Sequence, residues 1–344
     1  MRKCVDHKTV VLVLVFLAII PLFFINIVCG SVDIPFDAVC HILCGGETVS
    51  DVWRAIVVDT RLPQAVTAIL AGSAISVCGL LLQTLFANPL AGPEVLGINS
   101  GAGLGVAVVM LLFNGVLSTI VSGVAGHAAI LAGALSGAFA VMAVVLMLSA
   151  VLRDKVFLLI AGVAVSYLIS SVISVLNFMA TSEGVQSFFV WGMGSFSAVS
   201  WEQMPLFAIA TGVLLIVALL LMKPLNILLL GDNYAHNLGV NVRVVRAVLL
   251  FVTGCLTAVV TAFCGPISFI GLAVPHLARL VLSTADHRLI LPATMMLGGG
   301  VALICNLVCN MPGDSGMLPL GAVTPLVGAP VIIYVILRDR SLRM

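Results

Sequence analysis

The sequence predicts an all-α integral membrane protein, a bundle of ten spans forming a single domain over residues 1–344, and three observations lead there. Of its 344 residues 62% are hydrophobic and 8% charged, against about 25% charged in soluble domains. Too few polar side chains exist to cover a surface in water, so lipid is the solvent for most of the chain. Runs such as residues 10–28 are apolar on every side rather than alternating, which excludes a β-barrel and leaves helices. A crossing helix takes about 20 residues, and polar punctuation divides the chain into ten such pieces. A net charge of +1 and a pI near 7.6 imply no nucleic-acid partner.

The first span, 10–29, follows Arg2, Lys3 and Lys8 as a signal peptide would, but it lacks a small-residue cleavage pattern and reads as uncleaved. Spans near 62–84, 98–113, 124–151 and 156–180 come next. GxxxG spacing marks Gly97, Gly101 and Gly105, and again Gly133 and Gly137, positions where helices approach closely in lipid. The remaining spans lie near 204–222, 244–264, 267–284, 289–310 and 319–337. Two connections exceed a turn: an external one at 30–61, with Trp53 and Arg54, and a cytoplasmic one at 223–243. The second reads as short helices broken at Gly231 and Gly239, able to offer a mixed apolar and polar face to another protein.

Orientation follows from the basic residues, which are retained in the cytoplasm. With the N-terminus inside, Arg2, Lys3, Lys8, Arg153, Lys155, Lys223, Arg243, Arg246, Arg288, Arg338, Arg340 and Arg343 are cytoplasmic, and only Arg54 and Arg61 external. Twelve against two, alternating through every connection, places both termini in the cytoplasm. Asp33, Asp37, Glu47, Asp51, Asp59, Glu183, Glu202 and Asp314 fall outside.

The residues at depth exclude several chemistries. His127 lies alone in the fourth span, and His276 with Arg279 shares a face of the eighth, where capping of nearby carbonyls is the simplest role. No Asp or Glu is placed centrally, which argues against a proton- or sodium-coupled carrier. Ser136 lacks the partners of an intramembrane protease, and no Walker A loop occurs, so any ATP is hydrolysed by another chain. Cys29, Cys78, Cys255, Cys264, Cys305 and Cys309 read as small hydrophobes, while Cys40 and Cys44 have no spacing for a metal site. GPEVLGI (92–98) and GPISFIGL (265–272) form a faint internal echo after oppositely directed spans, the pattern of inverted repeats.

Four segments carry a resemblance: RLPQAVTAILAGSAISVCGLLLQTLFANPLAGPEVLGINSGAGLG (61–105), KPLNILLLGDNYAHNLGV (223–240), GPISFIGLAVPHLARL (265–280) and LPLGAVTPLVGAPVIIYVILR (318–338). Together they resemble the FecCD-type permeases, the membrane subunits of type II ABC importers for iron siderophores, haem and cobalamin. The resemblance implies the ABC type II importer permease fold in the inner membrane. It also implies a second permease copy as homodimer or close heterodimer, two ATPase subunits that carry ATP and Mg, and a periplasmic substrate-binding protein. No enzymatic site, cofactor or metal is implied on this chain. Carried over by position, Asn226, Gly231, Asp232, Ala235, Leu238 and Gly239 resemble the ATPase-coupling segment, and Lys155, Val156, Ala161, Val165 and Ser166 the pathway and its inner gate. Arg61 resembles a docking position for the binding protein, with Arg54 nearby, whereas Gln64 and Asn310 stand where relatives carry bases. The cargo implied is a ferric siderophore or related chelate, with cobalamin or haem the alternative of the same mechanism and a secondary transporter a remote one.

Overall fold

The computed structural model describes residues 7–45, 50–112, 124–152, 154–311 and 317–341. Arg2, Lys3, Glu47, Arg153, Asp314 and Arg343 lie outside them. The helices are α1 His7–Val28, α2 Phe36–Leu43, α3 Asp51–Ala55, α4 Leu62–Phe86, α5 Ile98–Ala107, α6 Val124–Val151, α7 Lys155–Met179 and α8 Ser182–Gly192. They continue with α9 Met204–Leu220, α10 Met222–Leu228, α11 Asp232–Asn237, α12 Val242–Cys264, α13 Ile270–Leu282, α14 His287–Cys309 and α15 Leu320–Ser341. No strand occurs among the described residues.

Each of the ten apolar runs falls on a helix. Among the described residues six helices are long and apolar enough to cross a bilayer alone, and α9 with α10, bent by 50°, makes a seventh if taken as one span; Ile98–Leu112, Ile270–Leu282 and Leu320–Tyr334 are shorter apolar helices. Local chemistry sets several ends. Asp154, Asn241 and Asp286 each accept a backbone N–H in the first turn of the helix that follows, at Val156, Val244 and Arg288. Helix α4 starts with Pro63 in its first turn and stops where Ala87 turns left-handed at φ 47°, just before Asn88 and Pro89.

The 30–61 connection is more ordered than a long loop. Helix α3 and a π turn, Ile56–Arg61, run directly into α4, so Asp51–Phe86 is one helical stretch of 36 residues. At 1.5 Å per residue that is about 54 Å, well beyond a hydrocarbon core of about 30 Å. Ile27, Ile34, Val39, Ile42 and Val57 form a small hydrophobic core of their own around it.

Helices α4 and α12 occupy the centre of the bundle, and glycines set the spacing around α4. A Cβ at Gly72 would collide with the Gly298 carbonyl of α14, and one at Gly79 with the Gly271 carbonyl of α13. The two GxxxG segments pack on each other, Gly101 and Gly105 of α5 against Gly137 and Gly133 of α6. Helix α7 is peripheral, burying only Leu158, Gly162 and Ile169 and leaving Val156, Phe157, Ile160, Tyr167, Leu168 and Phe178 exposed.

The expectation that no acid lies at depth is overturned by Glu94. The chain between α4 and α5 does not stay at the membrane surface. A Cβ at Gly271 would lie 2.8 Å from the Ile75 carbonyl, midway along α4, and 2.9 Å from Pro93; one at Gly162 would lie 2.6 Å from the Val95 carbonyl. The short turn Pro93–Leu96 is therefore folded into the bundle, and it carries a glutamate with it.

Candidate coupling and translocation site

The residues of the 223–243 connection build a hinged platform at one end of the bundle. Helix α10 bends away from α9, Gly231 turns the chain at φ 97°, α11 follows, and Gly239 at φ 80° leads to α12. Both glycines adopt a backbone that side chains rarely tolerate, and a Cβ on either would meet nothing within 4 Å, so the platform is open beneath them.

Two of the predicted coupling residues point back into the bundle. Asp232 pairs with Lys155 at 2.8 Å and with Arg246 at 3.8 Å, so the first residue of α11 is fastened to the first residue of α7. This contact unites two residues 77 positions apart, one of the predicted coupling set and one of the predicted gate set. Asn226 donates to Asp286 Oδ1 at 2.6 Å, and its Oδ1 faces the backbone N–H and ring Nδ1 of His287 at 2.8 and 2.9 Å. The other ring nitrogen of His287 lies 2.8 Å from Thr84 Oγ1, which continues the chain of contacts from α10 through α14 to the end of α4. The Arg288 backbone N–H, and then Asn226, hold the Asp286 carboxyl below its ordinary range. A depressed carboxylate stabilises the fold above its unfolded value near about 3.9 and loses that contribution as pH falls through the lower folded value, so this cap persists into acid.

Of the other coupling positions, Ala235 is buried and supports α11 from behind, whereas Leu238 is exposed. Leu230 and Tyr234, not singled out from the sequence, join Leu229 and Leu238 as exposed apolar groups on the platform. The run of leucines at 228–230 was the available signal; Tyr234 had none.

Along α7 the predicted pathway residues divide. Val156 lies on the open face, Ala161 and Val165 are half-buried, and Ser166 donates its hydroxyl to the Gly162 carbonyl at 2.9 Å while facing Gly97. Ser166 therefore packs the break before α5 rather than lining open space, and Phe157, Ile160, Tyr167 and Phe178 are the exposed wall that sequence reasoning did not name.

The docking residues require the largest correction. Arg61 is 6% exposed, and its guanidinium donates to the carbonyls of Ile27 at 3.0 Å, Val28 at 2.6 Å and Val32. It caps the carbonyl end of α1 instead of facing outward, because a helix end surrounded by apolar residues has no water to satisfy those carbonyls. Gln64 and Asn310 are buried as well. Gln64 donates to Asn306 Oδ1 at 2.9 Å, Asn306 to Asn26 Oδ1 at 2.9 Å, and Asn26 to the Leu303 carbonyl at 3.1 Å, a ladder of amides joining α4, α14 and α1. Gln64, Asn306 and Asn310 line a cavity of about 30 Å³ with Ser195, room for one water. Of the four docking positions only Arg54 is exposed. Arg61→Gln is expected to cost about 2–3 kcal/mol of stability, the scale of charged hydrogen bonds lost inside a protein. Melting of the purified variant in detergent checks it; unchanged melting with salt-sensitive loss of a binding protein would restore the docking role.

His276 and Arg279 act as the capping groups expected of them. The His276 ring donates to the Pro89 carbonyl at 2.8 Å, and Arg279 to Gln83 Oε1 at 2.7 Å. No cluster of three metal-ligating side chains occurs among the described residues.

The sequence profile of the FecCD transport family matches residues 15–338. The chain belongs to the FecCD transport family. Among curated relatives, the vitamin B12 import system permease protein BtuC of Klebsiella pneumoniae is 35% identical over 296 residues, 86% of either chain. The permease of the same description from Salmonella typhi is 34% identical over 294 residues, 86% of this chain and 87% of that one. A solved structure described as an inward-facing conformation of a metal-chelate type ABC transporter superposes with a TM-score of 0.82 at 27% identity, covering 95% of this chain and 98% of that one.

Proposed function

We propose that this FecCD-family permease is the membrane-spanning subunit of an ATP-driven importer that carries a ferric siderophore or related metal chelate across the inner membrane. The observation that carries this reading is the Lys155–Asp232 contact, which fastens an exposed, hinged platform to the helix bearing an unpartnered apolar wall. A partner that moves α11 moves α7 with it. The chain supplies no nucleotide loop of its own, so the platform is the seat of a separate ATPase, with ATP and Mg held there.

The ten helical spans are read as ten crossings with both termini cytoplasmic. Lys155, Lys223, Arg243, Arg246 and Arg288 cluster at the platform end, as retention of basic residues inside demands. The open face of α7 is read as the contact with a second copy, the pathway running between the two, and two ATPase subunits and a periplasmic binding protein complete the assembly. Cobalamin is the second reading of the cargo, favoured by the two relatives described as vitamin B12 permeases. Glu94 is a lone acid without a cation-binding cluster, which leaves a secondary transporter without the ligands such carriers use.

Reconstitution into proteoliposomes with the ATPase and binding protein tests the proposal. Uptake of the chelate should require nucleotide inside the hydrolysing compartment and persist without any ion gradient. Uptake driven by a proton gradient alone, with no ATPase present, would overturn it.

A further inference from the structure

Glu94 is a carboxyl group without a counter-ion in the middle of the bundle. Pro93 packs on Gly271, level with Ile75 midway along α4, and Val95 and Gly97 rest on Gly162 and Ser166, about halfway along α7. The carboxyl group folds back over Gly92, where a Cβ would lie 2.6 Å from Oε2. The backbone N–H groups of Phe269 and of Glu94 itself are the nearest polar groups to it. Phe269 holds a left-handed backbone, φ 67°, in a three-residue turn closed by Ile270 N–H to the Ser268 carbonyl at 2.8 Å. Such a turn is strained for a bulky residue. The remaining oxygen, Oε2, is sealed from solvent and has no hydrogen-bond partner.

The ionisable groups on the packed elements are engaged elsewhere or turned away. Lys155 and Arg246 face Asp232, His276 faces Pro89, Arg279 faces Gln83 and Arg61 caps α1. Arg243 and Tyr167 are exposed, and Cys78, Cys255 and Cys264 are buried thiols. An ionised carboxylate left in apolar surroundings without a cation is far more costly than a neutral acid with one unsatisfied O–H.

We propose that Glu94 is a proton-binding site at the centre of the permease, holding a proton while the 92–97 and 265–271 breaks are packed together and releasing it to water when they separate. The proton leaves the carboxyl oxygen for a water molecule, and the resulting carboxylate is then solvated by the water that separation admits. The resting-state site stands apart from the ATP-driven reading; the release step rests on it.

The full chain carries four glutamates, Glu47, Glu94, Glu183 and Glu202, and Glu183 and Glu202 are exposed. With carboxyl-13C glutamate incorporated and the protein in lipid nanodiscs, infrared spectra at pH about 8 should show the carbonyl band of a neutral labelled acid, whereas an exposed glutamate, with its ordinary value of about 4.3, is ionised there. Glu94→Gln, which keeps the size and shape of the side chain but cannot ionise, should lose that band and retain its fold. Absence of the band in the labelled wild type, or its titration in the ordinary range, overturns the site whether or not the variant folds. In the complex with the ATPase trapped by a non-hydrolysable nucleotide the band should disappear in at least one state. Its persistence in every trapped state overturns the release step, and failure of any ATPase to bind overturns the importer reading while leaving the resting spectrum decisive for Glu94.

Discussion

Gly79→Ala is expected to destabilise the permease by about 3 kcal/mol, the upper end of the cost of overfilling a packed interior. The added methyl would overlap the carbonyl of Gly271, and the atom that must give way is backbone in the first turn of α13. The collision is reciprocal, because Gly271 itself has the Ile75 carbonyl and Pro93 against it. No rotation of a flexible side chain relieves the strain. Gly212, inside α9, is the control. Nothing lies within 4 Å of a Cβ there, so Gly212→Ala should stabilise by about 0.5–1 kcal/mol through the helix preference alone. Thermal melting of both variants in the same detergent checks the pair. Equal melting of Gly79→Ala and wild type would mean that α4 and α13 do not approach this closely.

Asp232→Arg should reduce ATP-driven uptake at least tenfold while insertion and melting change little. The Lys155 and Asp232 side chains are 23% and 38% exposed, so solvent screening limits the pair to at most about 1 kcal/mol of stability. Its value is mechanical. With arginine at position 232, three cations converge where one carboxylate joined α11 to α7 and α12, and the platform is pushed off α7. ATPase activity should continue without transport. Exchanging the charges in Lys155→Asp with Asp232→Lys should recover part of the uptake, and only part, because Arg246 then faces a lysine. Gly239→Trp should uncouple in the same assay by forcing a bulky residue onto a φ of 80° and onto the open face. Wild-type uptake in Asp232→Arg would remove the contact from the coupling path.

The helices and their order were legible because each rests on a local signal. Apolar runs broken by charge located the long apolar helices, and the spacing of Gly101 and Gly105 with Gly133 and Gly137 anticipated a close helix pair, although not that the two motifs meet each other. The 223–243 segment was legible as broken helices because Gly231 and Gly239 interrupt it. What remained hidden depends on direction and depth. Whether the Arg61 guanidinium points out toward a partner or in toward the α1 carbonyls leaves no trace in the sequence around it. Glu94 sits in a polar-looking connection, and only the inward fold of 92–97 places it among apolar neighbours. Asn226 and His287 are 61 positions apart, so their contact has no local signature. Helix α8 escaped notice because its Glu183, Gln186 and Ser187 interrupt the apolar residues of a stretch too short to span.

Among the described residues, the thiols divide the molecule in a way that serves topology. Cys78, Cys255, Cys264, Cys305 and Cys309 are enclosed, whereas Cys29, Cys40 and Cys44 are open and all fall between the end of α1 and the start of α3. With Cys4 replaced by serine, a membrane-impermeant maleimide applied to intact spheroplasts therefore reads the sidedness of that stretch through its own thiols, and the enclosed cysteines stay in place.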